Sequence, residues 1–251
     1  MKKILTTLII LLFVTNVFSA IGYEHFTVQE NQVYIDLLVK LSREFKAVEG
    51  ILERTEQNYL DFRSPINGLL NSYLKKIYLN NILIYNEKDE IVSAAAGYNV
   101  QEITLQESGV SAFFIPVKTD SSYKPVIHIS KPVKDKTDWT IGKVLLSIDP
   151  MALGMMIDSI VAGYDIDIVV TDKSGTIIYD SESREIGRNT LTDPLYQNFT
   201  ELFEQRIAVE KRGEGSYKLL GSGMGAAREK YVMWNTIETF GTEIKVYMIT
   251  K

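Results

Sequence analysis

Residues 167–189 read DIVVTDKSGTIIYDSESREIGRN, and this stretch contains two β-branched runs separated by four polar residues. The polar break ends at Gly175, and glycine supplies the backbone conformation that a tight reversal needs. The stretch therefore predicts a β-hairpin, followed by a charged loop that leads to Ile186-Gly187.

The same pattern occurs earlier in the chain. Residues 83–92, LIYNEKDEIV, match residues 169–178, VVTDKSGTII, without a gap. Residues 125–149 and 230–251 also match, because each reads as a strand, a polar turn with an aromatic residue and a second strand. Two copies of one supersecondary unit account for both matches.

The duplication predicts an α+β fold of two antiparallel sheet lobes, with residues 64–149 in the first and 164–251 in the second. Helical residues are expected between the second and third strands of each lobe, so that a cleft lies between sheet and insert. Asp149-Pro150 is typical of a capped helix start and predicts a linker helix over 150–163. Asp193-Pro194 starts a further helix.

A long N-terminal helix is predicted over residues 24–62, which contain no proline. Its apolar residues recur at steps of four and three and form one stripe. The stripe consists of Tyr34, Leu38, Leu41, Phe45, Val48 and Leu52. Two interpretations stay open at this point: a helix that lies across its own sheets, or the seam of a homodimer, which uses the same heptad spacing.

Residues 1–20 are typical of a secretory signal peptide: a basic start, an apolar run and small residues at Ser19 and Ala20. The apolar run is short for a membrane span, and an uncleaved anchor is the alternative. The mature chain is therefore expected in the periplasm or outside the cell, or tethered to a membrane at its N-terminus.

The composition narrows the functional classes. The chain has no cysteine, two histidines, and a net charge of −5. A thiolate metal site, a cysteine nucleophile and an all-histidine metal site are thereby excluded within one chain, and no cofactor is predicted. Nucleic-acid binding needs a basic face and is not expected. Acidic residues cluster only at predicted turns, so the chain is not expected to be an enzyme.

The second copy resembles the Cache domain, an extracytoplasmic relative of PAS folds found in chemoreceptors and sensor kinases. The matching stretches are 169–189, 213–219 and 228–249, with the order strand, Asp-x-x-Gly turn, strand, acidic loop and Ile-Gly-x-Asn. The long helix, the two copies and the linker helix look like a double Cache arrangement over roughly residues 24–251. The resemblance implies a module that binds a small extracellular metabolite in its membrane-distal, first lobe.

The strand around residue 128 supplies the first candidates for a ligand site. Alternation places His128 and Ser130 on one face, and Ile127 and Ile129 on the other. The aliphatic pair suits packing against the long helix. The polar face either lines the cleft, where both side chains could hydrogen-bond a ligand, or meets solvent.

Two aromatic residues, Phe113 in the insert and Tyr123 at its exit, are candidates for a lid over the pocket. Tyr98 is a weaker candidate. Packing in the core is the alternative role for these aromatic residues.

Asp149 occupies the position at which amino-acid-binding relatives contact the ligand's amino group, but an aspartate before proline is also an N-cap. The stretch 111–125 contains neither the arginine nor the tryptophan of the family's amino-acid motif.

These observations predict an extracytoplasmic sensor module for a small-molecule metabolite. Because the chain stops at Lys251, it is expected to act as a stand-alone binding protein or through a membrane signalling partner. The alternative is a structural or adaptor protein that dimerises, or binds a partner, through the long helix and holds no ligand.

Overall fold

The computed structural model describes residues 25–62, 66–74, 79–96, 111–119, 122–181, 185–219 and 228–250. For 111–119 and 122–126 the description is confined to the backbone. The helices are α1 (Val28–Phe62), α2 (Asn67–Leu74), α3 (Pro150–Val161) and α4 (Gln197–Leu202). A 3₁₀ turn, Pro194–Tyr196, precedes α4, and a π-helical turn, Phe203–Ile207, follows it.

Ten strands form two sheets in the described residues. The first sheet contains β1 (Leu79–Asn86), β2 (Ile91–Ala96), β3 (Ser111–Thr119), β4 (Ser122–Lys134) and β5 (Thr140–Ile148). The second contains β6 (Ile166–Asp172), β7 (Ile177–Asp180), β8 (Arg212–Leu219), β9 (Arg228–Thr239) and β10 (Thr242–Thr250). The strand orders are β2-β1-β5-β4-β3 and β7-β6-β10-β9-β8, so the second sheet repeats the first, and the predicted duplicated α+β fold is confirmed.

The turns show that the two copies correspond residue by residue. The side-chain oxygen of Asn86 accepts hydrogen bonds from the amides of Lys88 and Glu90 (2.9 and 3.0 Å). Asp172 does the same for Ser174 and Thr176 in the second copy (2.8 and 2.9 Å). Such side-chain turns satisfy backbone donors that the reversal would otherwise leave unpaired.

The first turn lacks glycine and uses an aspartate in its place. Gly175 has φ +83°, and Asp89, at the matching position, has φ +62°. Aspartate is among the few residues that enter the left-handed region at low cost, because its short side chain can bond locally. The gapless match of 83–92 with 169–178 is therefore also a match of backbone conformation.

The loop that follows β7 is framework. The amide of Ile177 donates to the carbonyl of Arg188 (2.8 Å), and the amide of Gly187 donates to the carbonyl of Ile177 (2.8 Å). The side chain of Asn189 then donates to the carbonyl of Ser174 (2.9 Å). The Ile-Gly-x-Asn corner thus covers the edge of β7 and fastens the hairpin turn.

Helix α1 begins with a reciprocal cap. The hydroxyl of Thr27 accepts from the amide of Glu30 (3.1 Å), and the carboxylate of Glu30 accepts from the amide of Thr27 (2.7 Å). This capping box satisfies donors at the start of the helix and sets where α1 begins.

The apolar stripe of α1 is buried against the chain's own sheets. Tyr34, Leu41, Phe45, Val48 and Leu52 are at most 3% exposed, and Leu38 is partly buried beside them. They form one core with alternate residues of both sheets and with Leu153 and Ile157 of α3. These side chains are therefore not available for a dimer seam, and a homodimer through another face of α1 stays a prediction.

We call the side of each sheet that packs on α1 the near face and the opposite side the far face. Ile127 and Ile129 lie on the near face, as predicted. Polar contacts add to this packing: the hydroxyl of Tyr34 donates to the carbonyl of Val246 in the second sheet (2.6 Å). Glu49 of α1 accepts from the amide of Phe240 at the β9–β10 turn.

Several regions of the sequence lie outside the described residues. Residues 63–65 and 75–78 flank α2, whose described part ends at Leu74. Residues 1–24, which include the signal segment, and the first-lobe insert 97–110 also lie outside the described residues. Within the described ranges, no helix is both long and apolar enough to cross a membrane.

The Tyr34→Phe variant tests the tie between α1 and the second sheet. We expect the free energy of unfolding to fall by about 1–2 kcal/mol, because the buried carbonyl of Val246 loses a donor. Urea denaturation measures this change. Tyr59→Phe, at the edge of the same core, is the matched control, and an equal effect in both variants would contradict the assigned role of Tyr34.

The Thr55→Val variant tests a polar interruption of the stripe. Thr55 is fully buried, and its hydroxyl has no hydrogen-bond partner among the described residues. We expect Thr55→Val to leave the free energy of unfolding unchanged or to raise it by about 1 kcal/mol, because the replacement removes a poorly satisfied polar group. In Thr200→Val, whose hydroxyl donates to the carbonyl of Thr190 (2.8 Å), the same substitution should destabilise the fold.

Candidate functional site

The candidate site lies on the far face of the first sheet. We define this face by its described side chains: Asn81, Leu83, Tyr85, Ala94, His128, Ser130, Lys143, Leu145 and Ser147. Strand alternation separates them from the near-face residues of the core. Leu83, Tyr85 and Leu145 form a separate buried cluster with Ala94.

Three polar side chains form one row across this face. Ser147 of β5 lies between His128 of β4 and Asn81 of β1 in the register of the sheet. All three are fully buried. The hydroxyl of Ser147 and Nδ1 of His128 are 2.9 Å apart and form a hydrogen bond. In one tautomer of the ring Nδ1 accepts from the hydroxyl, and in the other it donates to it. We call Asn81, Ser147 and His128 the polar row.

Burial sets the protonation state of the histidine. Desolvation disfavours the imidazolium and lowers the pKa of His128 from 6.5 to about 4. The ring is therefore neutral at physiological pH and keeps one donor and one acceptor nitrogen. The alternative in which this face meets solvent is wrong for His128, because its side chain is completely buried.

The chemistry changes along the strands away from the polar row. The next cross-strand row contains Ser130, which is 7% exposed, and Leu145, its partner in the register. This second row is mainly aliphatic. Lys143 begins the third row, where its amine lies 2.6 Å from the carboxylate of Asp89 and 5.5 Å from the ring centre of Tyr85. It is four residues from Ser147, roughly 13 Å along the strand.

Asp149 follows β5 and caps α3. Its backbone is extended (φ −81°, ψ 114°), and its carboxylate accepts from the amide of Met151 at 2.9 Å. The N-cap interpretation of Asp149-Pro150 is therefore correct. One carboxylate oxygen carries this bond, and a role for Asp149 in ligand binding stays a prediction.

The expected place of Phe113 needs correction. It was placed in the insert, but it lies on the edge strand β3, directly opposite His128 in the register. The stretch SAFFIPVKT contains Pro116, which argues against a central strand, whereas an edge strand tolerates a missing donor. Tyr123 lies at the start of β4, opposite Lys118. Tyr98 lies outside the described residues, as do the side chains of Phe113 and Tyr123.

The far face of the second sheet is filled by the chain itself. The turn correspondence aligns Leu145 with Tyr247 and Ser130 with Trp234, and both aromatic rings are about 1% exposed. Phe199, Phe203 and Ile207 of the insert pack on them. A Cβ on Gly213 would lie 2.4 Å from Cζ2 of Trp234, so the two groups are in direct contact. The second lobe has a packed aromatic core, whereas the described part of the first lobe has Ser130 and Leu145 at the matching positions and the polar row beside them.

Two basic side chains of the second lobe, Lys230 and Arg206, contact other groups of the same lobe. The amine of Lys230 donates to the carbonyl of Thr250 (2.6 Å), while Arg228 is exposed at the start of β9. The guanidinium of Arg206 lies 5.2 Å from the ring centre of Trp234 and bonds Glu210 (3.1 and 3.0 Å). The guanidinium of Arg206 thus adds a cover to the aromatic core.

Asn81 and Ser147 were not among the predicted site residues. A polar residue inside an apolar strand is the signal that could have found them, as in NILIY and LLSID. The sequence does not give the register, and only the register puts the two side chains in line with His128.

Comparisons with known proteins agree on the architecture. In sequence the chain matches no family model and no curated relative. In structure it is similar to an extracellular ligand-binding receptor from Desulfohalobium retbaense (TM-score 0.65, 19% identity). The match covers 90% of this chain and 41% of the receptor, so the chain spans about two fifths of that protein's length.

Two further solved structures match over nearly their whole length. One is the ligand-binding domain of the Pseudomonas aeruginosa amino acid chemoreceptor PctB in complex with L-Gln (TM-score 0.65, 11% identity, 90% of each chain). The other is the periplasmic sensory domain of the Campylobacter jejuni chemoreceptor Tlp1 (TM-score 0.59, 11% identity, 86% of this chain and 91% of that one).

The chain has a double Cache fold. The long helix, the repeated strand order and the linker helix agree with the arrangement that the sequence resemblance implied. At this level of identity the double Cache likeness describes the fold alone.

The burial of His128 predicts an acid-sensitive fold. Because its pKa is lower in the folded state, the unfolded chain binds the proton first, and stability is lost as the pH falls from 6.5 towards 4. The full effect is about 3 kcal/mol. Urea denaturation at pH 7 and pH 4.5 should show a smaller pH dependence in His128→Gln than in the wild type. His25→Gln, at an exposed histidine, is the control and should follow the wild type.

Proposed function

We propose that this protein is an extracytoplasmic small-molecule-binding sensor module, and that its first lobe binds the ligand against the far face of the first sheet. The observation that carries the proposal is the difference between the lobes. The second lobe closes its far face with Trp234, Tyr247 and the insert, whereas the first presents the buried polar row.

The free-energy cost of burying polar side chains supports a ligand site in the first lobe. Burying a polar side chain costs free energy that its hydrogen bonds only partly return, so a row of three polar groups stabilises a core less than aliphatic side chains do. A lobe with structural duties alone would be more stable with side chains like those of its partner lobe. A ligand that hydrogen-bonds the row gives a reason to keep it.

The comparisons support the same class. Several of the similar solved structures are ligand-binding domains of chemoreceptors in complex with an amino acid: L-Arg, L-Gln, L-leucine or L-serine. For this chain we propose His128, Ser130, Ser147 and Asn81 as ligand-contacting residues. Phe113, Tyr123 and Asp149 stay as proposed additions from the sequence. We propose no enzymatic activity.

A route from the site to the rest of the molecule runs through β4. His128 and Ser130 lie on its far face, and Lys131, the next residue, pairs with Glu56 of α1. The same helix holds the second sheet through Tyr34 and Glu49. We propose that α1 carries a ligand-dependent shift of β4 to the second lobe, where a membrane signalling partner reads it.

A thermal-shift screen tests the proposal. Ligand at 100 times its Kd stabilises a one-site protein by about 2.7 kcal/mol, or roughly 5–10 °C in Tm for a chain of this size. We expect a stabilising compound among organic acids, amines, amino acids, amides, nucleobases and sugars. Its effect should be lost in His128→Gln and kept in His25→Gln. A screen without any stabiliser, or a stabiliser that acts equally on both variants, would contradict the proposed site.

A further inference from the structure

The turn end of the second sheet carries a cavity of about 410 Å³, which we call the turn cavity. Its lining residues belong to the ends of β9 and β10, to the β6–β7 turn and to α1. The charged residues among them are Glu49, Glu238, Glu243 and Lys173. Three carboxylates against one amine give the turn cavity a negative balance, and its volume suits a small organic molecule.

A buried hydroxyl without a partner lies in the same lining. Thr239 lines the turn cavity and is 4% exposed, and its hydroxyl has no hydrogen-bond partner among the described residues. Buried polar groups in folded proteins are nearly always paired, because leaving one unpaired costs free energy. A hydroxyl can accept a hydrogen bond. An acceptor beside three carboxylates suits a ligand group that carries N–H donors and a positive charge.

The first copy shows that the same turn position can be satisfied within the chain. Counting along the matched strands β4 and β9 puts Asp135 at the position of Thr239. The carboxylate of Asp135 accepts from the backbone amides of Thr137 and Trp139, at 2.8 and 3.1 Å. The unpaired hydroxyl is therefore a property of the second copy and not a requirement of the fold.

Two of the three carboxylates keep acceptor capacity for a ligand. Glu238 pairs with Lys211. Glu243 lies 3.7 Å from the amine of Lys245, which is beyond hydrogen-bond distance. Glu49 accepts one backbone amide of the β9–β10 turn, whereas a carboxylate has about four acceptor sites.

The spacing of the carboxylates favours an organic cation over a metal ion. Among the described residues, no three carboxylates or imidazoles converge closely enough to hold a metal ion. Glu49 and Thr239 meet at the β9–β10 turn, since Glu49 bonds the amide of the residue after Thr239. Glu243 belongs to β10, after the turn. Separated carboxylates match a cation whose charges are also separated.

We propose that the turn cavity is a second ligand site, and that it binds an organic cation with two or more separated ammonium groups, such as an aliphatic diamine. One ammonium group donates to Thr239 and Glu49, and the other meets Glu243. The site does not depend on a ligand in the first lobe. Because Glu49 holds the β9–β10 turn to α1, a bound cation acts on the contact between α1 and the second sheet.

Calorimetric titration of the full chain with putrescine tests the ligand class. We expect putrescine to bind at least about fivefold more tightly than butylamine, which has the same carbon chain and one ammonium group, because the second ion pair is lost. Butanediol should not bind, and the affinity for putrescine should fall as NaCl is added, since salt screens exposed ion pairs. A preference for Ca²⁺, butylamine or L-glutamine would overturn the ligand class. Absence of putrescine binding would overturn the site.

A matched pair of variants tests the hydroxyl. Thr239→Val and Thr55→Val each remove a buried hydroxyl that has no partner among the described residues, but Thr55 is not among the residues that line the turn cavity. We expect the affinity for putrescine to fall about tenfold in Thr239→Val and to stay unchanged in Thr55→Val. Equal affinity in both variants would overturn the proposed contact. Circular dichroism before titration verifies that each variant is folded.

Three further variants locate the bound diamine. Glu243→Gln should weaken putrescine binding at least about fivefold. Glu201→Gln, at an exposed carboxylate of α4, and His128→Gln should keep the wild-type affinity. An equal loss in Glu243→Gln and Glu201→Gln would mean a general attraction to the negative chain and would overturn the site. Binding that is lost in His128→Gln and kept in Glu243→Gln would place the diamine in the first lobe, overturn the second site and leave the proposed function standing.

Discussion

One apolar face of α1 closes both sheets of this molecule. A sheet with a single covered side needs a partner for its hydrophobic face, and here one helix serves two sheets. Tyr34 reaches Val246 in the second sheet, and Glu56 meets Lys131 in the first. The two lobes therefore share a continuous core, and neither near face can change without affecting the helix. This shared packing leaves the far faces free to differ.

The far faces differ, and this difference supports the proposal that the second copy is structural and the first carries the site. Trp234 and Tyr247 fill the second lobe, and Gly213 lies directly against the indole because a larger residue has no room there. The first lobe has Ser130 and Leu145 at the corresponding positions and the polar row beside them.

Much of the fold was predictable because its signals are local. The spacing of the α1 stripe, the Asp149-Pro150 cap and the turn at Gly175 each depend on residues within a few positions of one another. The match of 83–92 with 169–178 predicted a duplication that the identical strand orders confirm. Strand β3 was missed because Pro116 weakens the strand pattern, and its place as an edge strand depends on pairing with β4.

The sequence by itself determined the two copies, the long helix and the polar alternation of His128 and Ser130, since side-chain periods and turn chemistry are short-range properties. Only the tertiary structure decided that the α1 stripe packs inward and that Asn81 and Ser147 stand in line with His128. Heptad spacing is the same for a dimer seam and for a helix across its own sheets. Cross-strand register joins Asn81 to Ser147, 66 positions further along the chain, through backbone pairing that no local pattern encodes. Burial, which makes the histidine neutral, follows from that pairing.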